Sequence, residues 1–211
     1  MFLNTIKKIL ESIFPQNNTK NIKIKEILKN RIFYFKKEQT IYFLPYKNKL
    51  VRKMLYDFKF KKKFVISKFL GEILYENLNE ILYDLKIQEN FNNPILIQIP
   101  ISFSRKLQRG YDQNSLIIKE FCKLGGDNFL KIEKNILYKK LLTSPQSKTK
   151  KKKERLKNIK NSFKVRNVEK IKNKNILLFD DIKTSGATLN EAKKILKKAG
   201  VKKIIFLTIA H

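Results

Sequence analysis

Apolar residues follow two different spacings along the chain, and these spacings predict alternating helices and strands. Helical spacing, with apolar residues every three or four positions, covers residues 49–57, 64–82, 113–124 and 189–199. Short β-branched and aromatic runs, typical of strands, cover residues 31–35, 40–44, 95–99, 136–138, 163–165, 176–179 and 204–209. The last strand, helix and strand form a βαβ unit. The pattern predicts an α/β fold with a mostly parallel sheet flanked by helices.

The first 45 residues are predicted to form a small appendage to the main domain, which spans residues 46–211. Residues 1–14 resemble a signal peptide at first sight, but Lys7, Lys8 and Glu11 interrupt the apolar run, so an amphipathic helix is the better interpretation. The two runs within residues 31–44 indicate a hairpin. No run approaches the ~18 apolar residues that a membrane span requires.

Residues 143–162 lose the apolar periodicity and carry a run of lysines. Like charges repel one another, so this segment is predicted to be a mobile basic arm until an anion orders it. A plain solvated tether is the alternative. The consecutive lysines are Lys150, Lys151, Lys152 and Lys153.

The turn after the buried strand 176–179 carries the most distinctive chemistry. It lies between a strand and a helix, where open α/β sheets bind ligands. Asp180 and Asp181 are suited to accept hydrogen bonds from a sugar diol, and the following residues offer hydroxyl and backbone N–H groups to a phosphate. Those residues are Thr184, Ser185, Gly186, Ala187 and Thr188. A ribose 5-phosphate would satisfy both halves, whereas a helix cap in a Ser/Thr-rich turn is the non-functional alternative.

A second polar loop follows the strand 95–99 and is predicted to lie at the same edge of the sheet. It contains Ser102, Ser104, Arg105 and Arg109, which could receive a pyrophosphate. Arginine is scarce, with 6 in the chain against 42 lysines, so two in one loop indicate a need for guanidinium geometry. The alternative is that both arginines cap a helix or face solvent.

Composition and charge narrow the function classes. The chain has 211 residues, 42% of them hydrophobic, which is enough for a real core. The formal charge of +30 partly reflects drift towards lysine codons, but the small number of acidic residues leaves an excess that favours a polyanionic partner. One Cys and one His exclude a four-ligand Cys/His zinc site and an intrachain disulfide, and indicate a cytoplasmic protein.

The turn at residues 180–188 resembles the phosphoribosyl-pyrophosphate (PRPP) loop of type I phosphoribosyltransferases. Three further segments resemble the ComF branch of that superfamily, which is associated with DNA uptake. They are Pro100–Asn114, Thr143–Gln146 and Glu154–Phe163, and Lys59 matches a lysine at the end of the family's first helical part. ComF proteins commonly begin with a four-cysteine zinc ribbon, whereas this chain has no Cys before Pro45, so we expect a metal-free hairpin and no zinc.

The resemblance implies a type I phosphoribosyltransferase-like fold and a PRPP- and Mg²⁺-dependent transferase, with Mg²⁺ carried by PRPP. It implies that Asp180 and Asp181 hold the ribose hydroxyls and that Arg105 and Arg155 are candidates to offset leaving-group charge. Single-stranded DNA and the uptake machinery are the implied partners, with residues 150–153 as the nucleic-acid contact. A metabolic transferase with a nucleobase-like acceptor and a non-catalytic PRPP sensor remain alternatives. The acceptor and the oligomeric state are not predicted.

Overall fold

A computed structural model describes residues 35–37, 39–140 and 161–211. The predicted N-terminal helix, most of the first hairpin strand and nearly all of the predicted basic arm lie outside these residues. The helices are α1 (Lys49–Phe60), α2 (Val65–Glu89), α3 (Phe103–Arg109), α4 (Gln113–Lys123) and α5 (Ala187–Lys198). The strands are β1 (Phe35–Lys37), β2 (Thr40–Leu44), β3 (Ile95–Gln98), β4 (Lys131–Ile132), β5 (Leu137–Lys139), β6 (Phe163–Val165), β7 (Asn175–Ile182) and β8 (Lys203–Ala210).

Six strands form the main sheet in the order β1-β2-β8-β7-β3-β4. β1 and β2 pair antiparallel, and every other neighbouring pair in this sheet is parallel. β5 and β6 form a separate antiparallel ribbon. The predicted mostly parallel sheet flanked by helices is therefore confirmed.

The hairpin strand β2 is part of the main sheet rather than of a detached appendage. It pairs in parallel with β8, with Ile41 beside Leu207. Ile41 and Phe43 are buried in the core. β2 thus satisfies the edge of β8 and adds apolar surface to the same core.

The central strand β7 is buried on both faces, as its apolar run predicts. Leu177 and Phe179 pack into a cluster that includes residues of α1, α2 and α4, whereas Ile176 and Leu178 pack into a second cluster with residues of α5. Alternate side chains of a strand point to opposite faces, which explains this division. Two layers of helices thus hold β7 rigidly beneath the turn that follows it.

The helices differ from their predicted bounds for identifiable reasons. α2 continues to Glu89 because Leu85 extends the buried stripe, and it ends at Asn90 in the left-handed conformation, with φ of 50°. α3 lies in a segment predicted to be a loop; none of its residues is buried, so it has no apolar periodicity to reveal it. Within the described ranges, no helix combines the length and the hydropathy needed to cross a membrane.

Candidate functional site

A cleft of about 910 Å³ lies at the carboxyl edge of the sheet. β3 and β7 are parallel neighbours, with Gln98 beside Phe179, so the segments that follow both strands meet there. Of the residues predicted from sequence to form the site, those lining the cleft are Ser102, Arg105, Arg109, Asp180, Asp181, Thr184, Ser185 and Thr188. The sheet thus brings together two segments that are more than 70 positions apart.

The two acidic residues at the end of β7 have fixed partners. The Nζ atom of Lys59, near the end of α1, lies 2.7 Å from Oδ2 of the buried Asp181. Asn114, at the start of α4, donates its Nδ2 hydrogens to Oδ1 of Asp180 and to the carbonyl oxygen of Ile99, both at 3.0 Å. The carboxylates are therefore held in place before any ligand arrives.

The carboxyl group of Asp180 has an unusual proton affinity. Burial raises its pKa from an ordinary value of 3.8 to about 7, and the nearby charge of Asp181 acts in the same direction. The hydrogen bond from Asn114 and the charge of Lys59 lower the pKa and only partly offset this rise. The acidic pair therefore shares a proton near neutral pH, because one negative charge in the cleft costs less free energy than two.

The loop after β7 makes a tight turn into the N-terminus of α5. Gly186 precedes α5 with φ of 71°, and a Cβ atom at this position would lie 3.1 Å from Cε of Lys183. The side chain of Lys183 instead donates to Oγ1 of Thr40 at 2.7 Å, on the β2 side of the sheet. The first N–H groups of α5, beginning at Ala187, have no acceptor within the helix and carry the positive end of its dipole.

The second loop supplies the basic side of the cleft. Arg109 lies with its guanidinium carbon 5.1 Å from the ring centre of Phe60 and donates to Oε1 of Gln113 at 3.0 Å. Burial, with the charge of Arg105, lowers the pKa of Arg109. Ser104 does not line the cleft, although its Oγ atom lies 3.4 Å from that of Ser102. Ser102, Arg105 and Arg109 thus line the cleft, and Ser104 contacts Ser102 from outside it.

Several buried polar atoms around the cleft have no hydrogen-bond partner among the described residues. They are Nε of Arg109, Nε2 of Gln113 and Oδ1 of Asn114. An unpaired buried donor or acceptor costs about 1–3 kcal/mol, so such atoms are normally kept for a ligand or water. Their grouping at one cleft indicates a polar ligand site.

The structure also adds cleft residues that the sequence analysis gave no role. Lys139, at the end of β5, lines the cleft; burial and the charge of Arg105 lower its pKa, and Asp180 opposes this change. Asp112, Gln113 and Asn114 line it from the start of α4. Gln113 and Asn114 lie within the family-like segment Pro100–Asn114, but only their packing reveals their contacts.

Two groups of predicted residues are not placed by the structure. Lys150 to Lys153 and the candidate Arg155 lie outside the described residues. Within the described parts of the chain, no group of three or more His, Cys, Asp or Glu side chains could hold a metal ion.

Comparison with known proteins agrees with the geometry of the cleft. A family model described as "Phosphoribosyl transferase domain" matches residues 123–211, which contain both β7 and the loop before α5. The chain is 29% identical over 154 residues to competence protein F of Haemophilus influenzae. This chain is similar to competence protein F and has a phosphoribosyltransferase-like α/β fold. The resemblance to that family is thereby confirmed.

The coverage of these matches is partial. The match to competence protein F covers 70% of this chain and 62% of the relative's length. A solved hypoxanthine phosphoribosyltransferase from Staphylococcus aureus is 17% identical, with a TM-score of 0.31, over 64% of this chain and 62% of that one. The fold assignment rests on the sheet topology and on the domain match.

Proposed function

We propose that this chain binds PRPP in the cleft and acts in DNA uptake, on or near single-stranded DNA. The observation that supports this proposal is that paired carboxylates, the loop before α5 and arginines line one cleft. A ribose carries its diol and its 5-phosphate at opposite ends, so the carboxylates can bind the diol while the loop before α5 binds the phosphate. A volume of about 910 Å³ is also suited to a small phosphorylated ligand.

Each part of the ligand has a proposed partner. Asp180 and Asp181 accept hydrogen bonds from the ribose hydroxyls, and the residues from Thr184 to Thr188 surround the 5-phosphate. Ser102, Arg105 and Arg109 bind the pyrophosphate, because guanidinium groups donate paired hydrogen bonds to phosphate oxygens. Ser104 supports Ser102 in this role, and Arg155 is a further candidate from the predicted arm.

The residues of the cleft fit a magnesium ion that arrives with the ligand. Mg²⁺ in proteins is usually bound by one or two carboxylates together with substrate phosphates and water. Asp180 and Asp181 are assigned to the ribose hydroxyls, so the ligands of the ion would come from the phosphates of PRPP and from water. When bound, Mg²⁺ would neutralise negative charge on the pyrophosphate.

Transfer would break the bond between C1 of the ribose and pyrophosphate and form a bond from C1 to an acceptor. The chain contributes by orienting the sugar and stabilising charge on the departing group. Arg105, with Arg155 from the predicted arm, would stabilise the developing phosphate charge. The side chains of the cleft also replace water around C1, which limits hydrolysis.

PRPP binding is tested by thermal unfolding with and without PRPP and Mg²⁺. Wild type should be stabilised, and the double variant Asp180→Asn with Asp181→Asn should lose that stabilisation while remaining folded. Asp127→Asn, which changes an exposed carboxylate, is the matched control and should behave like wild type. Equal stabilisation of the double variant would refute the ligand assignment.

DNA binding is tested by fluorescence anisotropy at several salt concentrations. Affinity for single-stranded DNA should fall with salt at a log–log slope of about −0.7 per contacted phosphate. Neutralising Lys150, Lys151, Lys152 and Lys153 together should flatten that slope. If wild type shows no binding at low salt, the DNA part of the proposal is wrong.

A metabolic transferase is a second candidate, favoured by a cleft of small-molecule size. A regulator that senses PRPP would keep the same cleft without turnover. Release of pyrophosphate from PRPP, measured with and without nucleobases, separates an enzyme from a regulator. Release that needs a nucleobase and not DNA would favour the metabolic function.

A further inference from the structure

Two aromatic rings on α1 are exposed where an apolar side chain would normally be buried. Tyr56 is 55% exposed and Phe60 is 52% exposed. Their ring centres are 4.9 Å apart, and the ring planes are tilted by 42°. Arg52 is also exposed and is four residues before Tyr56, so these three residues form one stripe along the helix, the aromatic stripe.

A groove of about 440 Å³ runs beside the aromatic stripe and is joined to the cleft. The stripe residues line it, together with Lys53 and Lys59, and Lys59 also lines the cleft. The guanidinium group of Arg109 continues the stack by covering the ring of Phe60 at 5.1 Å. Phe60, which lines the groove, therefore contacts Arg109, which lines the cleft.

The surroundings of the aromatic stripe are strongly basic. Residues 49–63 contain seven Lys or Arg residues and one acidic residue, Asp57, which leaves a net charge of +6. Asp57 is buried, and its carboxylate is within 3.5 Å of the Nζ atoms of Lys53, Lys61 and Lys63. One carboxylate thus gathers three ammonium groups at this end of α1.

The combination of flat apolar rings and excess positive charge indicates which kind of molecule binds in the groove. An apolar protein surface would satisfy the rings but not the charges, and a simple phosphate would satisfy the charges but not the rings. A single-stranded nucleic acid has both unpaired base faces and a phosphate backbone. A duplex hides its base faces within the stack and would leave the rings exposed.

We propose that the aromatic stripe is a stacking platform for the bases of single-stranded DNA, with Arg52 and the lysines gathered around Asp57 contacting its phosphates. This inference rests on the proposed action near single-stranded DNA and assigns that action a surface separate from residues 150–153. A strand bound there leads into the cleft along Phe60 and Arg109. The platform tolerates different sequences because every base has a flat face.

The test measures the affinity for a fluorescent thymidine strand and for an abasic strand of the same length. Tyr56→Ala with Phe60→Ala should weaken thymidine-strand binding by about fivefold to a hundredfold, and should leave abasic-strand binding nearly unchanged. The salt slope should stay the same, because no charge is removed. Tyr56→Phe should bind as wild type does, whereas Phe60→Leu, which keeps apolar area but no aromatic face, should be weakened.

Tyr83→Ala is the matched control, since Tyr83 is 66% exposed on α2 and lies outside the groove. If the double alanine variant binds the thymidine strand as tightly as wild type does, the platform is wrong but the proposed DNA function still stands. Absence of any strand binding by wild type would overturn the proposed DNA function as well. A wild-type dimer that becomes a monomer in the double variant, measured by light scattering, would overturn the platform in favour of a contact between two copies.

Discussion

Replacing Asp180 with Asn should make the protein's stability less dependent on pH. The folded chain binds the Asp180 proton more tightly than the unfolded chain does, because the pKa rises from 3.8 to about 7 on folding. The contribution of Asp180 to the free energy of unfolding therefore falls as the pH rises from 3.8, the pKa in the unfolded chain, through about 7, the pKa in the folded chain. Linkage gives a loss of roughly 3 kcal/mol between about pH 5 and about pH 8, an upper bound for a cleft open to water.

Asn suits this test because its side-chain oxygen can still accept the hydrogen bond that Asn114 donates to Asp180 at 3.0 Å. Urea unfolding at a series of pH values measures the free energy for wild type and for Asp180→Asn. The variant should be the more stable protein at pH 8, and its pH dependence should be flatter. Asp127→Asn, at an exposed position, should keep the wild-type profile. Parallel profiles for wild type and Asp180→Asn would refute the assignment of a neutral-range proton to this pair.

Three other predictions follow from named contacts. Lys59→Met removes a charge that lowers the pKa of Asp180, so the carboxyl carbon of Asp180 should titrate at higher pH by NMR. Gly71→Ala should destabilise the fold by about 1–3 kcal/mol in urea unfolding, since the new Cβ would lie 2.7 Å from Cβ of Glu120. Amide hydrogen exchange across residues 143–162 should slow when PRPP is added, because bound phosphates would neutralise the predicted lysine run.

The sequence predicts the fold well where side chains are buried in a regular pattern. The continuous apolar run 176–179 predicts a strand covered on both faces, and the structure confirms it. The segment 103–109 gives no such signal, because all of α3 is outside the core. The pairing of β2 with β8 also escapes prediction, since a strand's partner depends on long-range contacts rather than on its own spacing.

The candidate site is predictable only for residues whose chemistry is concentrated in a short segment. Asp180, Asp181 and the hydroxyl residues after them are close in sequence, so their pattern is visible. Lys139 joins them only because the β5–β6 ribbon brings it to the cleft. Its charge is one among 42 lysines, and nothing in the sequence distinguishes it.

The ribbon formed by β5 and β6 has a consequence for engineering the chain. Lys139 pairs with Phe163, and the N–H of Lys140 donates to the carbonyl oxygen of Ser162 at 2.8 Å, so the two ends of the intervening segment are already side by side. The N–H of Asn161 donates to Oε1 of Glu191 on α5 at 2.7 Å, which ties one of these ends to the body of the protein. Exchange of residues 141–160 for Asn-Gly would leave a three-residue connection, Asn-Gly followed by Asn161, between the paired residues Lys140 and Ser162, and we expect both strands to stay in place. Chains shortened or lengthened at this junction would keep the same cleft, so the length of the insertion is free to change independently of the fold that carries it.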